Sequence, residues 1–237
     1  MIRADGRAPD QLRPIQLQPG FLPQHPANCL VRMGSTWVLC AATVREDVPP
    51  FLVGRNRGWV TAEYSMLPPS SPDRVPRERQ TSGRSQEISR LVGRSLRAAV
   101  DMALLGPRTI TVDCDVLQAD GGTRTASVTG GYVALALAIR QLAAAGLADL
   151  GALRCAVAAV SAGLLDGVPV LDLPYQEDAR ADMDLNAVMT DRGELVEVQA
   201  TAEGLPCRRE TFTTLLDLAA KGIGELLTAQ QQALAPA

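Results

Sequence analysis

The sequence predicts an α+β fold in a single domain over residues 1–237, on three observations. Short runs of alternating apolar and polar residues, the period-two signature of strands, lie between turn residues. Longer stretches carry apolar positions at helical spacing. The two kinds of run interleave along the chain without a composition break that would mark a linker. With 46% apolar content, a chain of 237 residues also has the material for a substantial core.

Taken in order, residues 28–46 alternate about Gly34-Ser35, in Cys29-Leu30-Val31-Arg32 and Trp37-Val38-Leu39-Cys40, and read as a β-hairpin. Strand-like Trp59-Val60-Thr61-Ala62-Glu63-Tyr64 follows. Residues 68–84 are rich in proline, serine and arginine without any period, which predicts a long mobile loop. From about Ser85, Ile88, Leu91, Val92, Leu96, Ala99, Val100, Ala103 and Leu104 share one side of a helix that Gly106-Pro107 stops. Glu87, Arg90, Arg94, Arg97 and Asp101 form its opposite stripe. Alternation returns as a strand from Thr109 to Val116, runs into Ala119-Asp120-Gly121-Gly122-Thr123-Arg124-Thr125, and gives way to an Ala/Leu-rich helix ending near Gly146. The second half repeats strands then helix: a hairpin turning at Asp166-Gly167, another near Asp191-Arg192-Gly193, and a helix from about Arg209 to Leu234.

Composition removes several function classes. Cys29, Cys40, Cys114, Cys155 and Cys207 are scattered without a C-x-x-C pair and read as reduced, mostly buried thiols. His25 is the only histidine, so no histidine triad or multi-histidine metal site can be built, and chemistry must rest on carboxylates, arginines and backbone dipoles. No apolar run reaches the roughly 18 to 20 uncharged residues of a membrane span. Met1-Ile2-Arg3-Ala4-Asp5 lacks the apolar segment of a signal peptide, so a cytoplasmic protein without a membrane partner is expected. The net charge of −3 argues against indiscriminate nucleic-acid binding. Yet seven arginines fall between Arg74 and Arg97, and a local basic zone in an acidic protein predicts a defined anion site.

Three segments could carry chemistry. In Asp120-Gly121-Gly122-Thr123-Arg124 a glycine pair leaves a strand and opens a helix, so that backbone N–H groups can approach an anion at the positive end of the dipole. Thr123 adds a hydroxyl and Arg124 a fork suited to phosphate. The spacing is not that of a Walker loop, and a plain tight turn with Thr123 as N-cap is the alternative. The acidic run Glu177-Asp178-Ala179-Arg180-Ala181-Asp182-Met183-Asp184 holds carboxylates dense enough to need solvent, arginine or a divalent cation such as Mg²⁺; it reads equally as a surface loop, with Met183 a packing residue. The arginines of 74–97 could steer an RNA backbone, or in the case of Arg90, Arg94 and Arg97 simply solvate a helix face. With 3% aromatics, base stacking cannot be the main grip.

These stretches together resemble the ribonuclease PH family over roughly residues 3 to 230. The resemblance is carried by Arg3-Ala4-Asp5-Gly6-Arg7 with Leu12-Arg13-Pro14, by Gly58-Trp59-Val60-Thr61-Ala62-Glu63-Tyr64-Ser65-Met66-Leu67-Pro68, and by Gly83-Arg84-Ser85-Gln86-Glu87-Ile88-Ser89-Arg90-Leu91. Asp113 to Ser127 is its most specific phrase, followed by Asp182 to Thr190 and Glu197-Val198-Gln199-Ala200-Thr201-Ala202-Glu203-Gly204. The resemblance implies a phosphorolytic 3′→5′ exoribonuclease that shortens RNA, above all tRNA 3′ ends, with inorganic phosphate as co-substrate and Mg²⁺ as cofactor. It puts phosphate binding on Arg84, Gly122, Thr123 and Arg124, catalytic and metal-associated acids on Asp178 and Asp184 with Asp182 beside them, and RNA guidance on Arg74, Arg77 and Arg79.

The same resemblance implies a homohexamer built as a trimer of dimers, and a left-handed βαβ crossover that no local reading would supply. Where relatives similar to the best-known members carry arginine directly after Met-Leu-Pro, this chain has Pro69, a difference that bears on RNA affinity and not on phosphate capture. The competing expectation is a catalytically inactive RNA-binding subunit of an exosome-like ring. Such members lose the phosphate arginines or the acids, and this chain keeps both sets.

Overall fold

The computed structural model describes residue 3, residues 5–77 and residues 83–235. Among these, nine strands form two sheets. The first has the order β1-β2-β3-β5-β4, with β1 at Ile15–Pro19, β2 at Asn28–Met33, β3 at Thr36–Arg45, β4 at Trp59–Met66 and β5 at Thr109–Gln118. The expected hairpin is β2–β3, turning at Gly34 with φ of +56°. Strands β4 and β5 are parallel neighbours joined through helix α1 (Gly83–Ala98) and the short α2 (Met102–Leu105), which makes a βαβ unit inside a mainly antiparallel sheet.

One expected helix breaks in two. The apolar period continues from Ser85 to Leu104, but the Asp101 carboxylate accepts the N–H groups of Ala103 and Leu104 and starts a new helix. Ahead of it, the N–H of Asp101 donates to Ala152 O at 2.7 Å, and the carbonyl of Ala99 accepts from Arg154 N–H at 2.9 Å, so the chain here pairs sideways.

The second sheet is antiparallel, in the order β7-β6-β8-β9, with β6 at Val157–Leu165, β7 at Val168–Leu171, β8 at Met183–Thr190 and β9 at Leu195–Ala202. Its two tight turns lie at the glycines expected, Gly167 and Gly193, both with positive φ. The one-turn helix α4 (Tyr175–Asp178) links β7 to β8, and α5 runs over Arg209–Leu234, the span its periodicity predicts.

Helix α3 (Thr123–Ala144) lies between the two sheets, packing on β2, β3 and β5 on one side and on β6 on the other. Residues apolar all round suit a helix buried all round. It is long and apolar enough to cross a membrane by length and composition, and it is buried here as the core helix. Gly130 permits the close approach, since a Cβ there would stand 2.1 Å from Val31 Cγ2. Side-chain alternation then sorts the second sheet. Val157, Ala159 and Val188 face the α3 core, while Ala158, Val160, Ala162, Leu185 and Ala187 face α5 through Leu215, Ala219, Ile223 and Leu226. Even-numbered residues of β8 therefore point toward α3.

The cysteines are free thiols, with Cys29, Cys40 and Cys114 buried in the core. Burial pushes the Cys29 thiol up to about 12. His25 sets its ring Nε2 3.0 Å from Ala42 O, a local contact.

Candidate active site

Strand β5 delivers the chain to Asp120, and two consecutive left-handed residues, Gly121 at φ +71° and Gly122 at φ +67°, turn it into α3. A side chain at Gly121 has nowhere to go: its Cβ would lie 2.5 Å from Leu173 O and 2.8 Å from Pro174 C and Tyr175 N. Gly122 occupies the N-cap position and no side chain caps it, so no side chain takes the first-turn N–H groups at the positive dipole end of a 22-residue helix. Thr123 is the first helical residue and not the cap. Its hydroxyl lies 2.8 Å from the Tyr64 hydroxyl at the inner side of β4.

The turn is held from three sides. Buried Arg13 donates to Asp120 O at 2.5 Å and to Gly121 O at 3.4 Å, and Thr36 Oγ1 donates to Gly121 O at 2.6 Å. Arg13 is itself fixed on the buried carboxylate of Asp172, its Nη2 at 2.7 Å, Nε at 3.0 Å and backbone N–H at 2.8 Å. The N–H of Tyr175 donates to Asp120 Oδ1 at 3.1 Å, which ties the turn to the start of α4. Charge-assisted bonds of this kind fix geometry more firmly than neutral ones.

Arg84 stands exposed at the second position of α1, and its charge acts on both Asp178 and Tyr64. Arg124 is half-buried, its Nη1 donating to Gln199 Oε1 at 2.7 Å and to Glu87 Oε1 at 3.4 Å. The α1 stripe is only partly a solvated face. Arg90 is exposed, but Arg94 grips Glu197 through Nη2 at 2.7 Å and Nε at 2.9 Å, and Arg97 lies 4.5 Å over the Trp59 ring while donating to Val60 O. Arg74 and Arg77 are exposed on the loop after β4. That loop is rooted beside the turn, with Leu67 N–H on Val116 O at 3.0 Å and Ala119 N–H on Ser70 O at 2.7 Å. Arg79 lies outside the described residues.

The acids arrive from the second sheet. Asp178 ends α4 and Asp184 is the second residue of β8, on the face turned toward α3. Desolvation pushes the Asp178 carboxyl above its ordinary range, with Arg84 and Arg124 pulling it back. Asp184 is raised by desolvation first, then by Asp178 and Glu203, and lowered by Arg124. Arg124 thus acts on both acids, Arg84 on Asp178, and Asp178 on Asp184. Glu177 departs from the surface-loop reading: it is buried in a two-oxygen ion pair with Arg3, whose Nη2 is 2.6 Å from Oε2. Asp182 is exposed just before β8, and Met183 packs in the core as expected.

Among the described residues no group of three or more metal-ligating side chains gathers. The pair Asp178 and Asp184 suits Mg²⁺ none the less, since that ion keeps several waters and is commonly held by one or two carboxylates plus substrate phosphate. Tyr64, Arg13, Asp172 and Gln199 have no assigned role in the sequence reading, although all but Asp172 fall inside the phrases that carry the family resemblance.

Comparison with known proteins fits this geometry. A model of the 3′ exoribonuclease family, domain 1, matches residues 11–141, and one of domain 2 of that family matches residues 155–222. Ribonuclease PH of Neisseria meningitidis serogroup C is 54% identical over 234 residues, covering 98% of this chain and 97% of that relative. Ribonuclease PH of Moorella thermoacetica is 53% identical over 237 residues, covering 99% and 95%. Among solved structures, the Archaeoglobus fulgidus exosome with RNA bound to the active site aligns with a TM-score of 0.80 at 22% identity, covering 95% of this chain and 91% of that one. Rice (Oryza sativa) Rrp46 aligns with a TM-score of 0.76 at 17% identity, covering 98% and 100%.

Proposed function

We infer, from a chain that belongs to the 3′ exoribonuclease family on both of its matched segments, that this protein is a phosphorolytic 3′→5′ exoribonuclease of ribonuclease PH type. One observation carries the reading: Arg124, in the first turn of a helix that no side chain caps, acts on both Asp178 and Asp184, and Arg84 acts on Asp178 as well. The cationic donors come from the segment 11–141 and the acids from 155–222, so the two segments work as one unit.

In this reading Arg84, Thr123, Arg124 and the N–H groups following Gly121 hold inorganic phosphate in line with the last phosphodiester of RNA. Binding supplies proximity and offsets the charge on the attacking anion. An oxygen of phosphate bonds to the phosphorus, the bond from phosphorus to the 3′ oxygen breaks, and the terminal residue leaves as a nucleoside diphosphate. Asp184 either supplies the proton to the departing 3′ oxygen or helps to hold Mg²⁺, with Asp178 supporting the metal and its geometry. Mg²⁺, if held by Asp178 and Asp184 with Asp182 at the margin, would neutralise charge on the phosphoryl oxygens. Because one phosphate linkage replaces another, excess nucleoside diphosphate should extend RNA. Arg74 and Arg77, with Arg79 beyond them in sequence, would guide the RNA backbone.

The substrate reading is tRNA precursors with extra 3′ nucleotides, processed in the cytoplasm by a homohexamer; light scattering of the purified protein tests the assembly. The activity test is incubation of such a tRNA with and without inorganic phosphate, identifying released nucleotides by chromatography. Diphosphates appearing only with phosphate, and absent for Arg124→Ala, are expected. Monophosphates released without phosphate would make the protein a hydrolase, and no release would make it an RNA-binding ring subunit.

A further inference from the structure

We propose that Gln199 is a positioning residue for Arg124, fixing which donors of that guanidinium meet the incoming phosphate; the inference rests on the phosphorolytic reading above. Gln199 lies on β9 opposite Asn186 of β8, two cross-strand pairs along from Asp184 and Thr201. Directly paired residues of neighbouring strands share a face, so Gln199 stands on the same face as Asp184, the one turned toward α3.

Its amide has a single workable orientation. Oε1 accepts from Arg124 Nη1 at 2.7 Å, while Nε2 donates to Glu87 Oε1 at 3.1 Å and to Glu197 Oε1 at 3.2 Å. Reversing the amide would set a carbonyl oxygen against two carboxylates and an NH₂ group against a guanidinium. Glu197 is in turn gripped by Arg94 through two bonds. A continuous line of polar contacts therefore runs from α1 through Glu197 and Gln199 to the start of α3.

The consequence falls on Arg124. Among the described residues both of its hydrogen-bond partners take Nη1, so the opposite edge, Nε with Nη2, is the two-donor fork left to face an oxyanion. Glutamine suits this position because it is neutral toward Arg124 and a donor toward two acids. A glutamate at 199 would set a third carboxylate against Glu87 and Glu197 and compete with phosphate for the Arg124 charge. The charged groups around it are Glu87 and Arg94 on α1, Arg124 on α3, Asp184 on β8 and Glu197 on β9.

The test uses the full chain and two variants, Gln199→Leu, which keeps bulk and loses the amide, and Gln199→Glu, which keeps shape and adds charge. Phosphate and RNA are varied separately in steady-state phosphorolysis, RNA binding is measured without phosphate by fluorescence anisotropy, and Tm is recorded. Loss of one charge-assisted contact predicts a KM for phosphate raised about tenfold in the leucine variant, with RNA affinity and Tm unchanged. The glutamate variant should raise the same KM further. An unchanged KM for phosphate in both variants, or an equal weakening of phosphate and RNA, would overturn the role of Gln199. A wild-type protein that releases no diphosphate would instead sink the functional reading itself. If the leucine variant has no folding transition, the glutamate variant decides the matter by the same split.

Discussion

Replacing Gly121 by alanine should separate two costs that the Gly-Gly-Thr-Arg turn combines. The first is conformational: an L-residue held at φ +71° is disfavoured by about 1–2 kcal/mol. The second is steric. The new Cβ would stand 2.5 Å from Leu173 O and 2.8 Å from Pro174 C and Tyr175 N, all backbone atoms of the segment that leads into α4. Relief to ordinary contact requires the turn and that segment to part by nearly an ångström, and overpacking of this kind costs about 1–3 kcal/mol more. The displacement falls between Thr123 and Asp178, where a misplacement of about 1 Å is worth on the order of 100-fold in rate. Gly193→Ala is the control, because Gly193 has φ +75° and nothing within 4 Å of its would-be Cβ. Urea unfolding should show Gly193→Ala losing only the conformational part, with phosphorolysis intact, and Gly121→Ala losing both, with kcat/KM for phosphate collapsing. Equal stability losses and retained activity would refute the claim that the turn is locked against the entry to α4.

Asp184→Asn should raise stability while abolishing phosphorolysis. Desolvation and Asp178 hold the folded-state pKa of Asp184 above its unfolded value, so the ionised carboxylate costs stability at pH above the folded pKa, and the cost vanishes as pH falls below the unfolded one. Thermal melts in EDTA should thus show the variant ahead at neutral pH and the gap closing through the carboxylate range. Glu177→Ala leaves the buried Arg3 guanidinium without its acid, and chemical denaturation should register a loss of about 3–5 kcal/mol. Arg74→Ala and Arg77→Ala, both on exposed loop positions, should each weaken RNA binding alike for all sequences and flatten the slope of log K against log salt by about 0.7, as filter binding across a salt series would report.

What the sequence made legible is what is written locally. Helix α5 has its predicted bounds because an unbroken 3.6-residue period runs from Arg209 to Leu234, and the Gly-Gly-Thr-Arg turn announces itself in four consecutive residues. The break between α1 and α2 was not legible, because periodicity cannot register that Asp101 caps a new helix or that Val100 bridges to Leu153. Arg13 and Asp172 pair across 159 positions, and Gln199 reaches Arg124 across 75, so their roles exist only once the sheets are assembled. Asp172 did carry one faint signal, since an aspartate tolerates the left-handed conformation it adopts at φ +56°. The acidic run shows the opposite failure. Glu177 and Asp178 are neighbours, yet one is buried against Arg3 and the other faces the site, a division that composition cannot make.

The division of charge between the halves has its own thermodynamic consequence. Asp178 and Asp184 repel each other on the second sheet and its lead-in helix, while Arg84 and Arg124, from α1 and α3, lower the cost of that repulsion. The acids are costly alone and the arginines attract them, so the site helps to hold in register the elements that form it. Substitutions on the two sides should then differ in sign. Removing an acid relieves repulsion and stabilises the protein, whereas removing Arg124 strips the aspartates of their counter-charge and destabilises it. A site shaped by packing alone would lose stability from both.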